Sequence, residues 1–280
     1  MAKNTTTAVE SDVAVAEAPA ANLPVEHPEN NVVAQAIDFY ADSGLGLENV
    51  DAQSVAIPFI TVLQGLSPQI ETVEGAKPGL IINTVTNELS QKVEVIPCGF
   101  QRKFLRWTPR SKGGGFKGEM SVVEYERAKA SGDIKIVQSE KGEIEMLGED
   151  EVKDTRVHFV MVVKDGMLSP AVMSLSSTQI KCSKRLIALI GGVQMKAPNG
   201  KIFNPPSFAN SYIASTEKVS NEKGTWYLFK FEKGSAVTDP EIYAACKKFN
   251  AQVSEGKAVA VHSELNEAAP MQGDAEDNEF

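Results

Sequence analysis

RVHFVMVVKDGMLSPAVMSL, residues 156–175, decides the fold class. Its first half alternates and then runs apolar, as a central strand does. Asp165-Gly166 supplies a two-residue turn, and PAVMSL (170–175) returns, so the stretch reads as a β-hairpin. Runs of the same kind lie upstream. IPFITVLQ (57–64) ends at Gly65 and Ser67-Pro68, and LIINTV (80–85) follows Pro78-Gly79. VEVIPCGF (93–100) is a strand interrupted by Pro97, which predicts an edge or a bulge there. Downstream, SFANSYIAS (207–215) and TWYLFKFEK (225–233) alternate about a turn at Asn221–Gly224.

Helical patterns are fewer. MSVVEYERAKASG (120–132) predicts a helix ending at Gly132, and NVVAQAIDFYADS (31–43) a short one stopped by Gly44. SSTQIKCSKRLIALIGG (176–192) predicts a helix capped by Ser176 or Ser177, with Ile180, Ile187 and Ile190 on one side and Gly191-Gly192 at its end. Asp239-Pro240 opens a last helix with Ile242, Cys246, Phe249 and Val253 at i, i+4, i+7 and i+11. Residues 134–154 are polar, with a hairpin turn at 141–143. The sum is a β-centred α+β domain, a curved antiparallel sheet or small barrel with inserted helices. Helices do not alternate regularly with strands, which argues against a parallel α/β sheet. No 20–50-residue period recurs, so the chain is not a repeat protein.

The net charge of -9 is unevenly placed. Residues 1–30 carry -4 and residues 263–280 carry -6, leaving the body about neutral. Both end segments have compositions that predict disorder, 1–30 being Ala/Thr/Val/Glu/Pro-rich and 263–280 acidic. Residues 1–30 resemble neither a signal nor a transit peptide, and no run of about 18 apolar residues predicts a membrane span. Cys98, Cys182 and Cys246 are odd in number and far apart, and His27, His158 and His262 stand singly. Neither a disulfide framework nor a zinc site follows, and the cysteines read as small core residues in a reducing compartment.

FQRKFLRWTPRSKGGGFKG (100–118) interleaves aromatics with cations. Single-stranded nucleic acid requires this combination, because cations track phosphates while aromatic faces stack bases. Candidate contacts here are Arg102, Lys103, Phe104, Arg106, Trp107, Arg110, Lys112 and Lys117; as an ordinary strand, the aromatics fill a core instead. Alternation puts Arg102, Phe104 and Arg106 on one face and Lys103, Leu105 and Trp107 on the other. Gly113–Gly118 spells GxGxxG but lacks the preceding strand of a dinucleotide site, so it reads as a loop. On the helix near 180–190, Lys181, Lys184 and Arg185 share one face, either as a second contact surface or as a solvated side. No HExxH, GxSxG or paired-aspartate metal motif occurs, so no residue is assigned to catalysis and no cofactor is implied.

GDAEDNEF (273–280) is similar to the acidic, aromatic-terminated tails of bacterial and tailed-phage single-stranded-DNA-binding proteins. IPFITVLQGLSPQI, VEVIPCGFQRKFLRWTPR, LSSTQIKCSKRLIALI and TWYLFKFEKG resemble phage members of that group with an OB-like core. The resemblance implies an OB-fold domain over residues 31–262 that binds single-stranded DNA without sequence preference during replication and recombination. It implies a tail, through Asp274, Glu276, Asp277, Glu279 and Phe280, that recruits DNA polymerase, helicase, primase or recombination proteins and competes with DNA. The expected location is the cytoplasm of the infected bacterial host, and a homodimer is compatible with it. The Ala-rich N-terminal segment departs from the pattern, and the acidic residues at 140–154 are expected to point away from DNA. Two other classes stay open: a non-catalytic phage interaction or structural protein using the tail for assembly, and a metal-dependent nuclease.

Overall fold

The computed structural model describes residues 41–43, 45–49, 56–139, 142–222 and 224–264. The predicted helix at 31–43 lies outside these residues but for 41–43, which form a turn, and both terminal segments read as disordered lie almost wholly outside them. Residues up to Glu48 form a separate unit, where the Gly46 amide donates to the Glu48 carboxylate at 2.9 Å.

In chain order the body comprises β1 (Ile60–Val62), α1 (Gln69–Thr72), β2 (Ile81–Asn83), β3 (Leu89–Ser90), β4 (Lys92–Trp107), β5 (Phe116–Met120), α2 (Val122–Ala130), β6 (Ile134–Ser139) and β7 (Gly142–Leu147). It continues through β8 (Asp150–Lys164), β9 (Met167–Ser176), α3 (Ile180–Gly191), β10 (Met195–Lys196), β11 (Ile202–Phe203), β12 (Asn210–Asn221), β13 (Gly224–Ala236) and α4 (Pro240–Ser254). The architecture is β-centred α+β. The large sheet runs β13-β12-β4-β8-β7-β6, with β5 on β4 and β9 on β8, all antiparallel. Strands β4, β8, β9, then α3, then β12 and β13, follow OB connectivity: the first strand lies between the second and fourth, and the helix joins third to fourth.

The hairpin read from 156–175 is β8–β9, turned by Asp165 (φ 51°) and Gly166 (φ 77°), both left-handed as a type I′ turn requires. The strand predicted at 93–100 is far longer. β4 runs on to Trp107 and is central, with a bulge between Pro97 and Gly99. Pro97 is tolerated because its open side meets no strand: its carbonyl accepts from Ser207 Oγ at 2.8 Å. The side-chain cap expected at Ser176 or Ser177 does not form. A 3-10 turn, Ser177–Gln179, precedes α3 without one, and Ser177 has φ 50°. The buried side of α3 is Cys182, Ser183 and Leu186, while Ile187 is exposed. The last helix starts as expected, with Asp239 Oδ1 accepting from the Glu241 and Ile242 amides and Pro240 in the first turn.

The barrel closes without a continuous ladder between β9 and β13. Phe59 makes a parallel bridge to Val172 of β9. On the β13 side the Gln64 carboxamide acts as a strand would: Nε2 donates to the Tyr227 carbonyl and Oε1 accepts from the Tyr227 amide, each at 2.9 Å. Gln179 continues the row, accepting from the Phe229 amide at 3.0 Å and donating to the Tyr227 carbonyl at 3.2 Å. Side-chain amides thereby satisfy an edge that would otherwise bury unpaired backbone groups. Gly79, at φ 91°, lies under the Tyr227 ring, where a Cβ would approach Cε1 to 2.6 Å.

Three cores result. The barrel interior includes Val95, Val160, Met173, Tyr212 and Phe231, with Leu186 of α3 against it. The opposite face of β4, β8 and β9 carries α4 through Cys246, Phe249 and Val253. Gly99 permits this approach, because a Cβ there would meet Val253 Cγ1 at 2.8 Å. A third core joins Phe104, Met120, Ile134 and Val152 to Tyr125 of α2.

Replacing Gln64 by Ala strands the Tyr227 amide while its carbonyl keeps Gln179. An unsatisfied buried donor costs about 1–3 kcal/mol, so Gln64→Ala should lower unfolding free energy by that amount in a urea titration. An unchanged midpoint would show that closure does not depend on the carboxamide.

Candidate nucleic-acid interface

The basic stretch of β4 and the acidic stretch of β8 are cross-strand neighbours, with Arg102 to Trp107 facing Arg156 to Glu151. The acidic residues therefore do not point away from the cations. Asp154 binds Arg102 through two bonds, Nε–Oδ1 at 3.0 Å and Nη2–Oδ2 at 2.7 Å, and also takes Arg156 Nη2 at 3.0 Å. Asp150 takes Arg106, with Nε at 3.1 Å. Lys103 reaches Glu119 of β5 at 2.7 Å, and Lys112 reaches Glu149 at 3.3 Å. Burial opposes ionisation of Asp154, but the bonds and charges of Arg102 and Arg156 outweigh it and hold its carboxyl below the ordinary range.

The aromatics divide likewise. Phe104, expected to stack on bases, is 1% exposed; its ring is stacked on Tyr125 with centroids 3.5 Å apart, and the Arg102 guanidinium carbon lies 4.8 Å from its centroid. It belongs to the core. Trp107 is half-buried, edge-on to Phe116 at 5.3 Å. Gly113, Gly114, Gly115 and Gly118 all have positive φ, and the string runs into β5 instead of opening a helix directly after a strand, which is not the geometry of a dinucleotide site. Arg110 lies in the short turn Arg110–Lys112, and Lys117 is exposed on β5.

The sheet and the helix that carry the two predicted basic clusters are joined beside a residue not among the predicted contacts. Phe100, 43% exposed, faces His158 across the β4–β8 ladder, with ring centroids 5.0 Å apart. His158 Nε2 is 2.7 Å from Ser183 Oγ on α3, which locks the helix over this point of the sheet. Two residues along the same face stand the paired Arg102 and Arg156. On the helix side, Ser183 rims the buried face, and the next residue, about 100° round, is exposed Lys184. Arg185, a further turn step on, and Lys181 are exposed as well. Phe100 is thus exposed beside the paired arginines, next to the point where α3, which carries exposed Lys181, Lys184 and Arg185, is bonded to the sheet. Arg156 and His158 became visible only through pairing; Phe100 was within reach of strand alternation from Arg102 and Phe104.

Past α3, β10–β11 carries Lys196, Lys201 and exposed Ile202 and Phe203, tied back by Asn204 Nδ2 donating to the Gly191 carbonyl at 3.1 Å. The opposite face of the sheet is occupied. The face of the second and third OB strands, often the nucleic-acid surface of this fold, is filled here by α4. Residues 256–262 extend that cover over Gln101 and Lys103, enclosing a cavity of about 140 Å³. His262 anchors this segment, Nε2 lying 3.1 Å from Ser174 Oγ. The His262 ring and the Lys103 ammonium hold the Glu119 carboxyl at about 2, although Nδ1 at 3.6 Å from Oε2 is beyond a normal hydrogen bond.

Cys98, Cys182 and Cys246 are free and buried in the cores, as their spacing suggested. Among the described residues no group of three His, Cys, Asp or Glu side chains is placed to hold a metal, and no helix is long and apolar enough to cross a membrane. The tail residues Asp274, Glu276, Asp277, Glu279 and Phe280 lie outside the described residues.

Burial, and secondly the positive charge of Arg156, lowers His158 to about 4. The unfolded histidine takes its proton near 6.5, so between those values the unfolded chain binds more protons and stability falls as pH drops. The loss should reach about 2–3 kcal/mol at pH 4 and level off below it as far as this group is concerned. His158→Asn should flatten the pH 6.5-to-4 segment of the stability curve; a slope equal to wild type would mean that His158 is not the group responsible.

No curated protein and no solved structure matches the chain. One family model does, over residues 27–259, which takes in the barrel, α3 and all of α4. The chain belongs to the family of Pam3 phage gp34-like proteins.

Proposed function

We propose that the protein binds single-stranded DNA without sequence preference, coating and protecting it during phage replication and recombination in the cytoplasm of the infected host. The observation that carries this reading is the position of Phe100. It is an exposed aromatic against a buried histidine that is bonded to α3, with the arginines of β4 and β8 two residues along the strands. A base stacked on Phe100 places its flanking phosphates toward the cations of α3 and the Arg102–Arg156 pair. The OB connectivity supports the same reading, with the strand path moved off the face that α4 fills. The role is non-catalytic and calls for no metal or cofactor. The acidic residues from Glu264 to Glu279, tethered where 256–262 leaves the sheet, compete with phosphates for the same cations and recruit replication proteins.

Fluorescence titration with an oligo-dT in EDTA tests the reading. Salt-sensitive binding is expected. Phe100→Ala should weaken it by about 1–3 kcal/mol, and Lys184→Gln should lower the log–log salt slope by about 0.7. Lys103→Gln, on the covered face, should change neither. Absence of binding in EDTA would overturn the proposal, leaving an assembly protein if metal has no effect and a nuclease if metal restores turnover.

Removing residues 265–280 should tighten binding, most at low ionic strength where screening is weakest. Equal or weaker affinity after truncation would remove the competition from the mechanism.

A further inference from the structure

On the flank of α3 away from Phe100, three strands set Lys92, Ser215 and Lys230 side by side, Ser215 being the register partner of both lysines. With Thr216 and Glu232 they line a polar depression of about 360 Å³. Lys230 Nζ lies 2.7 Å from Glu232 Oε1. Lys230 first, then Lys92 and Arg185, hold the Glu232 carboxyl below its ordinary range, so all three cations bear on this one carboxylate. Two lysines and one carboxylate line the depression, leaving an excess positive charge that a second anion neutralises. Ser215 Oγ donates to the Lys230 carbonyl only at 3.4 Å, which leaves its hydroxyl free to turn to a better acceptor.

We infer that this depression is a phosphate subsite, formed by Lys92, Lys230 and the Ser215 hydroxyl, that receives a phosphodiester of the strand whose bases reach Phe100. Its ligand's identity rests on the single-stranded-DNA reading; its chemistry does not. Helix α3 lies between the two points, Ser183 bonding His158 beside Phe100 and the charge of Arg185 acting on Glu232, so a strand joining them crosses the exposed cationic face of α3. Glu232 is the built-in competitor: it holds Lys230 until a phosphate displaces it. The site therefore carries a signature that mere surface lysines lack. Removing the cations weakens phosphate binding, while neutralising Glu232 strengthens it.

The test uses the full chain in two arms, with wild type, the Lys92→Gln/Lys230→Gln double variant and Glu232→Gln. In the first, oligo-dT is titrated. The double variant should bind about fivefold more weakly, with a log–log salt slope smaller by about 1.4, and Glu232→Gln about two- to threefold more tightly. In the second, sodium tripolyphosphate is added during thermal unfolding. It should raise the Tm of wild type and Glu232→Gln and leave the double variant unmoved. A double variant that matches wild type in both arms overturns the subsite. If wild type fails to bind oligo-dT but tripolyphosphate still separates the variants, the subsite stands and the DNA reading falls. If wild type fails to bind oligo-dT and tripolyphosphate does not separate the variants, both fall.

Discussion

The pairing of β4 with β8 is the constraint on which the rest depends. The ladder runs from Glu94↔Val163 to Trp107↔Glu151, and every core of the body leans on it. At its first end the two strands wall the barrel, with Val95 and Val160 inside. In the middle, their other face carries α4 on Ile96, Val157 and Phe159. At its far end, Phe104 and Val152 take α2. A period-two strand presents alternate residues to opposite faces, so one register serves three cores, and a one-residue slip would expose all of them at once. The bulge at Pro97–Gly99 belongs to this economy: it resets the phase of β4, bringing Gly99 to the α4 side and Phe100 to the α3 side.

The same ladder decides which charges are free. Diagonal cross-strand neighbours lie about 7–8 Å apart, within reach of an arginine side chain, so Arg102 and Arg106 find Asp154 and Asp150. In the sequence these groups are separated by more than forty residues and read as segregated blocks. Folded, they largely neutralise each other. On α3, where the acidic stretch does not reach, Lys181, Lys184 and Arg185 are exposed. Sequence made the 100–118 stretch the leading cluster and read the α3 stripe also as a solvated face, whereas pairing moves electrostatic weight toward α3.

Local patterns in the chain were legible wherever local chemistry sets the outcome. Asp165-Gly166 demands a left-handed turn, Asp239-Pro240 caps and opens a helix, and Ile242, Cys246, Phe249 and Val253 can share a face only in an α-helix. What sequence could not show was determined by distant partners. Nothing near Gln64 indicates that its carboxamide replaces a strand beside Tyr227, since the two are 163 residues apart. Phe104 had the composition of a base-stacking residue, but Tyr125 arrives on a separate helix to cover it. The cap expected at Ser177 failed because the backbone there turns left-handed on leaving β9 and enters α3 through a 3-10 turn.

Helix α4 is the reason the proposed strand path is drawn on the α3 side. It covers the outer face of the second and third barrel strands with Phe249 and Val253, and the chain after it covers Gln101 and Lys103. Exposing that face would mean detaching a helix with its buried apolar side chains, each worth about 1.5–3 kcal/mol, and losing the Asn250 bond to the Cys98 carbonyl at 2.6 Å. A ligand offering only phosphates and stacked bases does not recover such a sum. The accessible alternative is the helix joining the third and fourth strands. Gln179 and Ser183 pin α3 at two points, to the backbone of β13 and to His158 of β8. Its cations are thereby held on a rigid element, and rigidity matters because an immobilised long side chain costs entropy on binding. With one face of the barrel sealed by its own C-terminal helix, α3 is the surface on which charge, exposure and fixed geometry coincide.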